Sequence, residues 1–295
     1  MTSVIVQVAI NGLLLGGIYA LVAIGLTLIF GVVRVVNFAQ GEFLMLGMYL
    51  AFWLFAFWGV DPYLAVLVTA PAIFALGVLV QRVFIRPFFN APSNSLILVT
   101  FGLSIILQNS ALLAWKSDPR AIETSYSNAA LRLGELSVSV PRLVILVVTF
   151  GIVVGLYVVL QRTYWGMAMS AVAQDRKAAV LMGVNIHRVY MLTFGLGVGL
   201  EAVAGALLIP VYPVTPSTGA TFTIVAFVVV VLGGMGNVFG AFLAGLIIGL
   251  IEAFSGFFIS PQLQGALYYA MFVAILVARP QGLLGVVGAQ EMGFR

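Results

Sequence analysis

Hydrophobic positions in this chain come in long blocks, not in short alternating runs. The first, Val4–Phe30, holds no charged residue. At 1.5 Å per residue, about 20 apolar residues cross a bilayer core of about 30 Å. Further blocks follow at Phe43–Trp58, Pro62–Phe84, Leu96–Trp115, Leu143–Leu160, Tyr190–Val211, Phe222–Leu232, Val238–Phe258 and Leu263–Ala278. The pattern predicts an all-α polytopic transmembrane bundle of eight to nine spans, forming one domain over residues 1–295. Val4–Phe30 is too long for a signal-peptide core and lacks a basic segment before it, so it reads as a permanent span. Phe222–Leu232 is too short to cross alone. It either takes in the Gly-rich stretch that follows or is a half-helix.

Two polar segments leave the membrane. Residues 116–141 carry Lys116, Asp118, Arg120, Glu123, Arg132 and Glu135, with Pro119 and Pro141 as breakers. Residues 161–188 carry Arg162, Asp175, Arg176, Lys177 and Arg188. Span alternation puts these segments on opposite faces. With 161–188 on the cytoplasmic face, Arg34, Arg82, Arg86, Arg279 and Arg295 join it, giving nine basic residues inside. Four stay outside, matched there by four acids. The positive-inside rule therefore places 116–141 in the periplasm, the N-terminus outside and the C-terminus inside. Trp58, Tyr63 and Trp115 fall at outer ends, and Tyr164 and Trp165 at an inner one, as interfacial anchors.

Composition narrows the class. Of 295 residues, 63% are hydrophobic and only 7% charged, against about 25% charged in soluble domains. The mean hydropathy is +1.19. A soluble enzyme, a disordered protein and a nucleic-acid binder are all excluded. The net charge of +4 is too thinly scattered for a phosphate-binding face. There is no Cys and a single His, His187. Disulfides, thiolate chemistry and a metal centre are therefore not expected, nor is a cofactor. No G-x-x-x-x-G-K-[ST] run exists to cradle ATP phosphates, so an enzymatic role for the isolated chain is not expected.

The 32 Gly include small-xxx-small pairs at Gly12/Gly16, Gly195/Gly199, Gly236/Gly240 and Ala241/Gly245/Gly249. Small residues let helix backbones approach closely in lipid. Two stretches interrupt the helical pattern, residues 31–42 and residues 233–240. Each puts Gly and Asn before an apolar helix, a hint of an internal inverted repeat. They read either as Gly-rich turns or as unwound backbone at a repeat interface.

Arg34 and Glu42 favour the second reading for the first stretch, since charges within spans need partners. Glu42 also suits the start of a helix, where the dipole favours an acid. Asn37, Gln40, Gly41 and Glu42 are thus candidates for a solute pathway, together with Asn237 and Glu201. Glu201 and Glu252 read equally as polar bonds between helices. Residues 171–183 hold good helix formers and end at Gly183. They read as a surface helix, or as a docking helix in which Ala173, Ala178 and Ala179 leave room for a partner beside Asp175.

Four motifs in order carry a resemblance. They are Asn37-Phe-Ala-Gln-Gly-Glu42, Leu181-Met-Gly183-Val-Asn185, Leu232-Gly-Gly-Met-Gly-Asn237 through Glu252-Ala, and Arg279-Pro-Gln-Gly282-Leu-Leu-Gly285. Together they resemble the inner-membrane permeases of branched-chain amino acid ABC importers, the smaller of the usual two. Gln40 stands where that family often has His. The resemblance implies a second homologous permease, two cytoplasmic ATPases and a periplasmic solute-binding protein. It also implies a coupling helix within 171–183 and transport of a branched-chain amino acid or related small solute. A stand-alone proton-coupled secondary transporter using Glu42, Glu201 or Glu252, and a membrane scaffold without a pathway, are the alternatives.

Overall fold

A computed structural model describes residues 2–89, 91–279 and 281–285. In chain order its elements are α1 (Thr2–Val33), α2 (Gln40–Trp58), α3 (Pro62–Val80), α4 (Ser93–Trp115), β1 (Ala130–Leu133), β2 (Leu136–Ser139), α5 (Val140–Arg162), α6 (Tyr164–Gln174), α7 (Arg176–Leu181), α8 (Ile186–Leu208), α9 (Thr218–Gly233), α10 (Val238–Phe258) and α11 (Gln264–Ala278). Every apolar block of the sequence is a helix. Among the described residues seven helices are long and apolar enough to cross a membrane, while α9 and α11 are apolar but shorter. Arg295 and the chain's end lie outside the described residues.

Local chemistry sets the boundaries. Gly59 takes a left-handed φ of 64° and closes α2. Asp61 then caps α3 by accepting from the Tyr63 amide at 2.8 Å, with Pro62 in the first turn. Tyr126 donates to the other Asp61 oxygen at 2.8 Å, and its ring stacks on Tyr63 at 4.8 Å. Burial, reinforced by this bond to the carboxylate, pushes the Tyr126 phenol pKa up. These contacts fasten residues 116–139 onto one end of the bundle. That segment also holds a feature the all-α expectation lacked, an antiparallel hairpin pairing Ala130 with Ser139 and Leu133 with Leu136. Gln7 of α1 ties the hairpin down, donating to the Ser137 carbonyl at 2.7 Å and accepting from its amide at 2.8 Å.

α1 packs on α10 as α8 packs on α3. α2 packs on α3 and α4 as α9 packs on α10 and α11. The pairs α1–α8 and α2–α9 meet each other directly. This is the contact pattern of two copies of one four-helix unit, α1–α4 and α8–α11. The first turns of α2 and α9 touch at Gly41 and Gly219, and from there the two helices run to opposite ends of the bundle. The repeat is therefore inverted, as the sequence hinted, but its matching breaks differ. The partner of the α1–α2 break is the α8–α9 connection, residues 209–217. The stretch 233–240 is a turn at the bundle end, where Asn237 caps α10 by accepting from Gly240 N at 2.9 Å.

Within the core, Ile18, Leu21, Leu44, Met48 and Tyr49 have no exposed surface. α3, α4 and α5 turn many large apolar residues outward, including Leu67, Leu98, Leu113 and Val147, the surface that lipid or a second subunit covers. Trp58, Tyr164 and Trp165 are exposed, as an interfacial anchor has to be. Trp115 is not: its ring stacks on buried Tyr49 at 4.1 Å.

Candidate translocation site

The first turns of α2 and α9 meet around a set of polar side chains. Asn37, Gln40, Glu42 and Glu201 all have no exposed surface. Asn37 Nδ2 donates to Gln40 Oε1 at 2.9 Å, and Gln40 Nε2 donates to Glu201 Oε1 at 2.8 Å. Asn37 Oδ1 accepts from the Ala39 amide at 3.1 Å, holding the unwound segment in a turn. Glu42 Oε1 accepts from Ser104 Oγ at 3.1 Å. The Gly41 amide donates to Thr223 Oγ1 at 3.0 Å, and that hydroxyl donates to the Gly219 carbonyl at 2.9 Å. The unwound backbone is touched too, since Thr100 Oγ1 lies 3.1 Å from both the Val36 carbonyl and the Ile97 carbonyl of its own helix, which share its one proton.

Glu201 lies in the middle of α8 and Ser104 in the middle of α4. The Asn37–Glu42 break therefore sits level with helix middles, not at a helix end. Unwound backbone at that level persists because protein groups satisfy its polar atoms. Gly41 and Gly219 are needed for close approach. A Cβ on Gly41 would meet the Gly219 carbonyl and Thr223, and one on Gly219 would meet the Glu42 carboxyl. Glu42 thus stands at the first turn of α9, which has no acid of its own and no side-chain cap. A carboxyl there suits the positive end of the α9 dipole. One oxygen each of Glu42 and Glu201 has no hydrogen-bond partner among the described residues. These two atoms are the free acceptors of the junction.

The structure brings Asn37, Gln40, Gly41, Glu42 and Glu201 together and leaves Asn237 apart. Asn237 Nδ2 donates to the Leu284 carbonyl at 2.9 Å. Arg34 and Glu42, which the sequence says need partners, find different ones. Arg34 points to α6, where Nη2 donates to the Ala173 carbonyl at 2.7 Å. Glu42 lies in the first turn of α2, as the sequence suggests, while the N-cap position is Ala39 and no side chain bonds there. Ser104 and Thr223 were missed by sequence reasoning. Their only signal is a hydroxyl inside an apolar run, and such hydroxyls usually bond their own helix. Glu252 lies elsewhere, accepting from Tyr19 Oη at 2.8 Å.

The expected helix within 171–183 is two helices. Asp175 ends α6 and caps α7, accepting from the Lys177 and Ala178 amides at 2.8 and 3.0 Å. An Asp at this spacing competes with helix propagation through its own backbone bonds. Gly183, at φ 82°, follows the end of α7. Ala179 is buried, so it offers nothing to a partner, whereas Ala178 is exposed. Leu181 and Met182 are 87% and 84% exposed, an apolar tip on an otherwise basic turn.

Residues 8–276 match the family described as branched-chain amino acid transport system / permease component. The chain is 35% identical to the high-affinity branched-chain amino acid transport system permease protein BraD of Pseudomonas aeruginosa, over 95% of each chain. It is 34% identical to LivH of Escherichia coli K12, again over 95% of each. The probable LivH of Methanocaldococcus jannaschii is 27% identical over 94% of this chain and 91% of its own. No solved structure matches. The relatives are components of transport systems, which gives a stand-alone secondary transporter no support. A multi-pass helical bundle matched along almost its whole length places this chain in the branched-chain amino acid transport system permease family.

Proposed function

We propose that this chain is one membrane-spanning subunit of an ATP-driven importer for branched-chain amino acids or similar small solutes. It works with a second, homologous permease, two cytoplasmic ATPases and a periplasmic solute-binding protein, in a bacterial inner membrane. The end-to-end similarity to BraD and LivH carries this reading. ATP hydrolysis belongs to the separate ATPases. The α6–α7 segment faces the cytoplasm and receives their motion, with Ala173, Asp175, Ala178 and Gly183 shaping its surface. The hairpin end faces the periplasm, where solute is delivered. The junction of α2 and α9, with Asn37, Gln40, Gly41, Glu42 and Glu201, lies along the solute route and opens when the two repeats rock against each other.

The test is reconstitution of the permease pair, ATPases and binding protein in vesicles. Labelled leucine should accumulate with ATP and not without the ATPases. Uptake that persists without them would remove the reading. Sidedness has its own test in this naturally Cys-free chain. Asn128→Cys and Leu181→Cys, both at exposed positions, should label from opposite faces, Leu181→Cys from the cytoplasm. Labelling of both from one face would end the assignment.

A further inference from the structure

Arg34 is a direct side-chain link between the α6–α7 segment and the unwound stretch that leads into the α2–α9 junction. Its φ of 56° is left-handed, a conformation that side chains rarely adopt. The turn that places it there ends α1, with the Arg34 amide still donating to the Phe30 carbonyl at 3.0 Å. From this position the guanidinium reaches the Ala173 carbonyl at 2.7 Å. Ala173 lies in the last turn of α6, where carbonyls lack helical partners and the dipole is negative. Three residues beyond Arg34, Asn37 begins the chain of bonds through Gln40 to Glu201.

Arg34 also lines two clefts. One, of about 870 Å³, is lined further by Phe150, Tyr157 and Phe239. The other, of about 480 Å³, is lined further by Phe89, Arg176 and Tyr190. A guanidinium bonded to α6 from a backbone that belongs to the unwound stretch carries displacement of one to the other.

We infer that Arg34 is a positioning residue that couples displacement of α6–α7 to the Asn37–Gln40–Glu201 bonds at the α2–α9 junction. The inference rests on the importer reading above. When the ATPases shift α6, the guanidinium carries the movement to the unwound segment, and the Asn37 turn re-seats Gln40 against Glu201. Without the guanidinium, the segment is no longer tied to α6 through this side chain. Hydrolysis then continues while less solute moves per ATP.

The experiment places Arg34→Ala, Arg34→Gly and Arg34→Lys in the complete reconstituted importer. ATPase retention, hydrolysis and uptake are measured on matched protein. Ala and Gly should each lower solute moved per ATP by about fivefold or more, the low end of ordinary coupling between sites. ATPase retention and basal hydrolysis should hold. Lys should restore most of the ratio, because it keeps the charge and a donor. Glycine fits the left-handed backbone, so it decides the question if the Ala variant is not recovered. An unchanged ratio in the Gly variant, including hydrolysis and uptake falling together in proportion, overturns the inference. A wild-type complex with no ATP-driven uptake would instead remove the importer reading beneath it.

Discussion

Replacing Gly16 by leucine should leave little folded protein in the membrane. α1 and α10 approach so closely at this point that a bare Cβ on Gly16 would lie 2.6 Å from the Leu246 Cα and 2.7 Å from the Gly245 carbonyl. Both obstacles are backbone, so no rotamer change relieves them. The reciprocal side is as tight, because a Cβ on Gly249 would meet the Gly16 amide and the Gly12 carbonyl. In lipid, the helices are held by packing at such small-residue seams and not by a hydrophobic drive. Overpacking a close seam costs about 1–3 kcal/mol in soluble cores, and a backbone-on-backbone clash stands at or beyond the top of that range. Even Gly16→Ala should lower the melting temperature of the detergent-solubilised protein. Gly102 supplies the control. It lies in α4 with nothing within 4 Å of its would-be Cβ, so Gly102→Ala should melt at or above the wild-type temperature. Equal melting of Gly16→Ala and wild type would refute the close seam.

Glu201→Ala should abolish most uptake while the permease still assembles. Glu201 Oε1 accepts a hydrogen bond from the buried Gln40 Nε2 at 2.8 Å. Removing that acceptor leaves an amide proton unpaired, at a cost of about 1–3 kcal/mol, and releases the turn that Asn37 and Gln40 build together. The loss falls on the junction where α2 and α9 begin, the proposed solute route, and leaves the helix seams that hold the overall fold in place. Glu201→Gln keeps an acceptor oxygen and should retain assembly and much of the uptake. Uptake per folded molecule, measured on matched amounts in vesicles, separates the two. An unchanged rate in the Ala variant would show that the junction is structural and that solute passes elsewhere.

Much of this protein was legible without coordinates. Block lengths and charge scarcity dictate helices in lipid, because only intra-segment hydrogen bonds satisfy a backbone there. The helices appear where the apolar runs stand, and the first turn of α2 begins at Gln40, inside the break that Gly, Asn and Gln announce. Gly59 and Asp61 set their boundaries through φ and a capping oxygen, both local effects. Asn37, Gln40 and Glu42 stood out because three such residues within six positions are costly in an apolar stretch.

What the sequence could not settle depends on pairing between distant segments. Arg34 and Glu42 are neighbours along the chain, yet their partners are Ala173 and Ser104. The inverted repeat was read from Gly and Asn at residues 31–42 and 233–240, but residues 209–217 carry the second break, a stretch with Pro and Thr in place of that pattern. Asn237 shares composition with Asn37 and not its place. The single helix expected within residues 171–183 is split at Asp175, because a carboxylate near two free amides ends one helix and starts another. Local periodicity and capping act over one turn, so sequence alone determines elements and their ends. Which buried acid meets which donor is fixed only when α1, α2, α4, α8 and α9 converge, since a buried polar group takes whichever partner the packed backbones bring within about 3 Å.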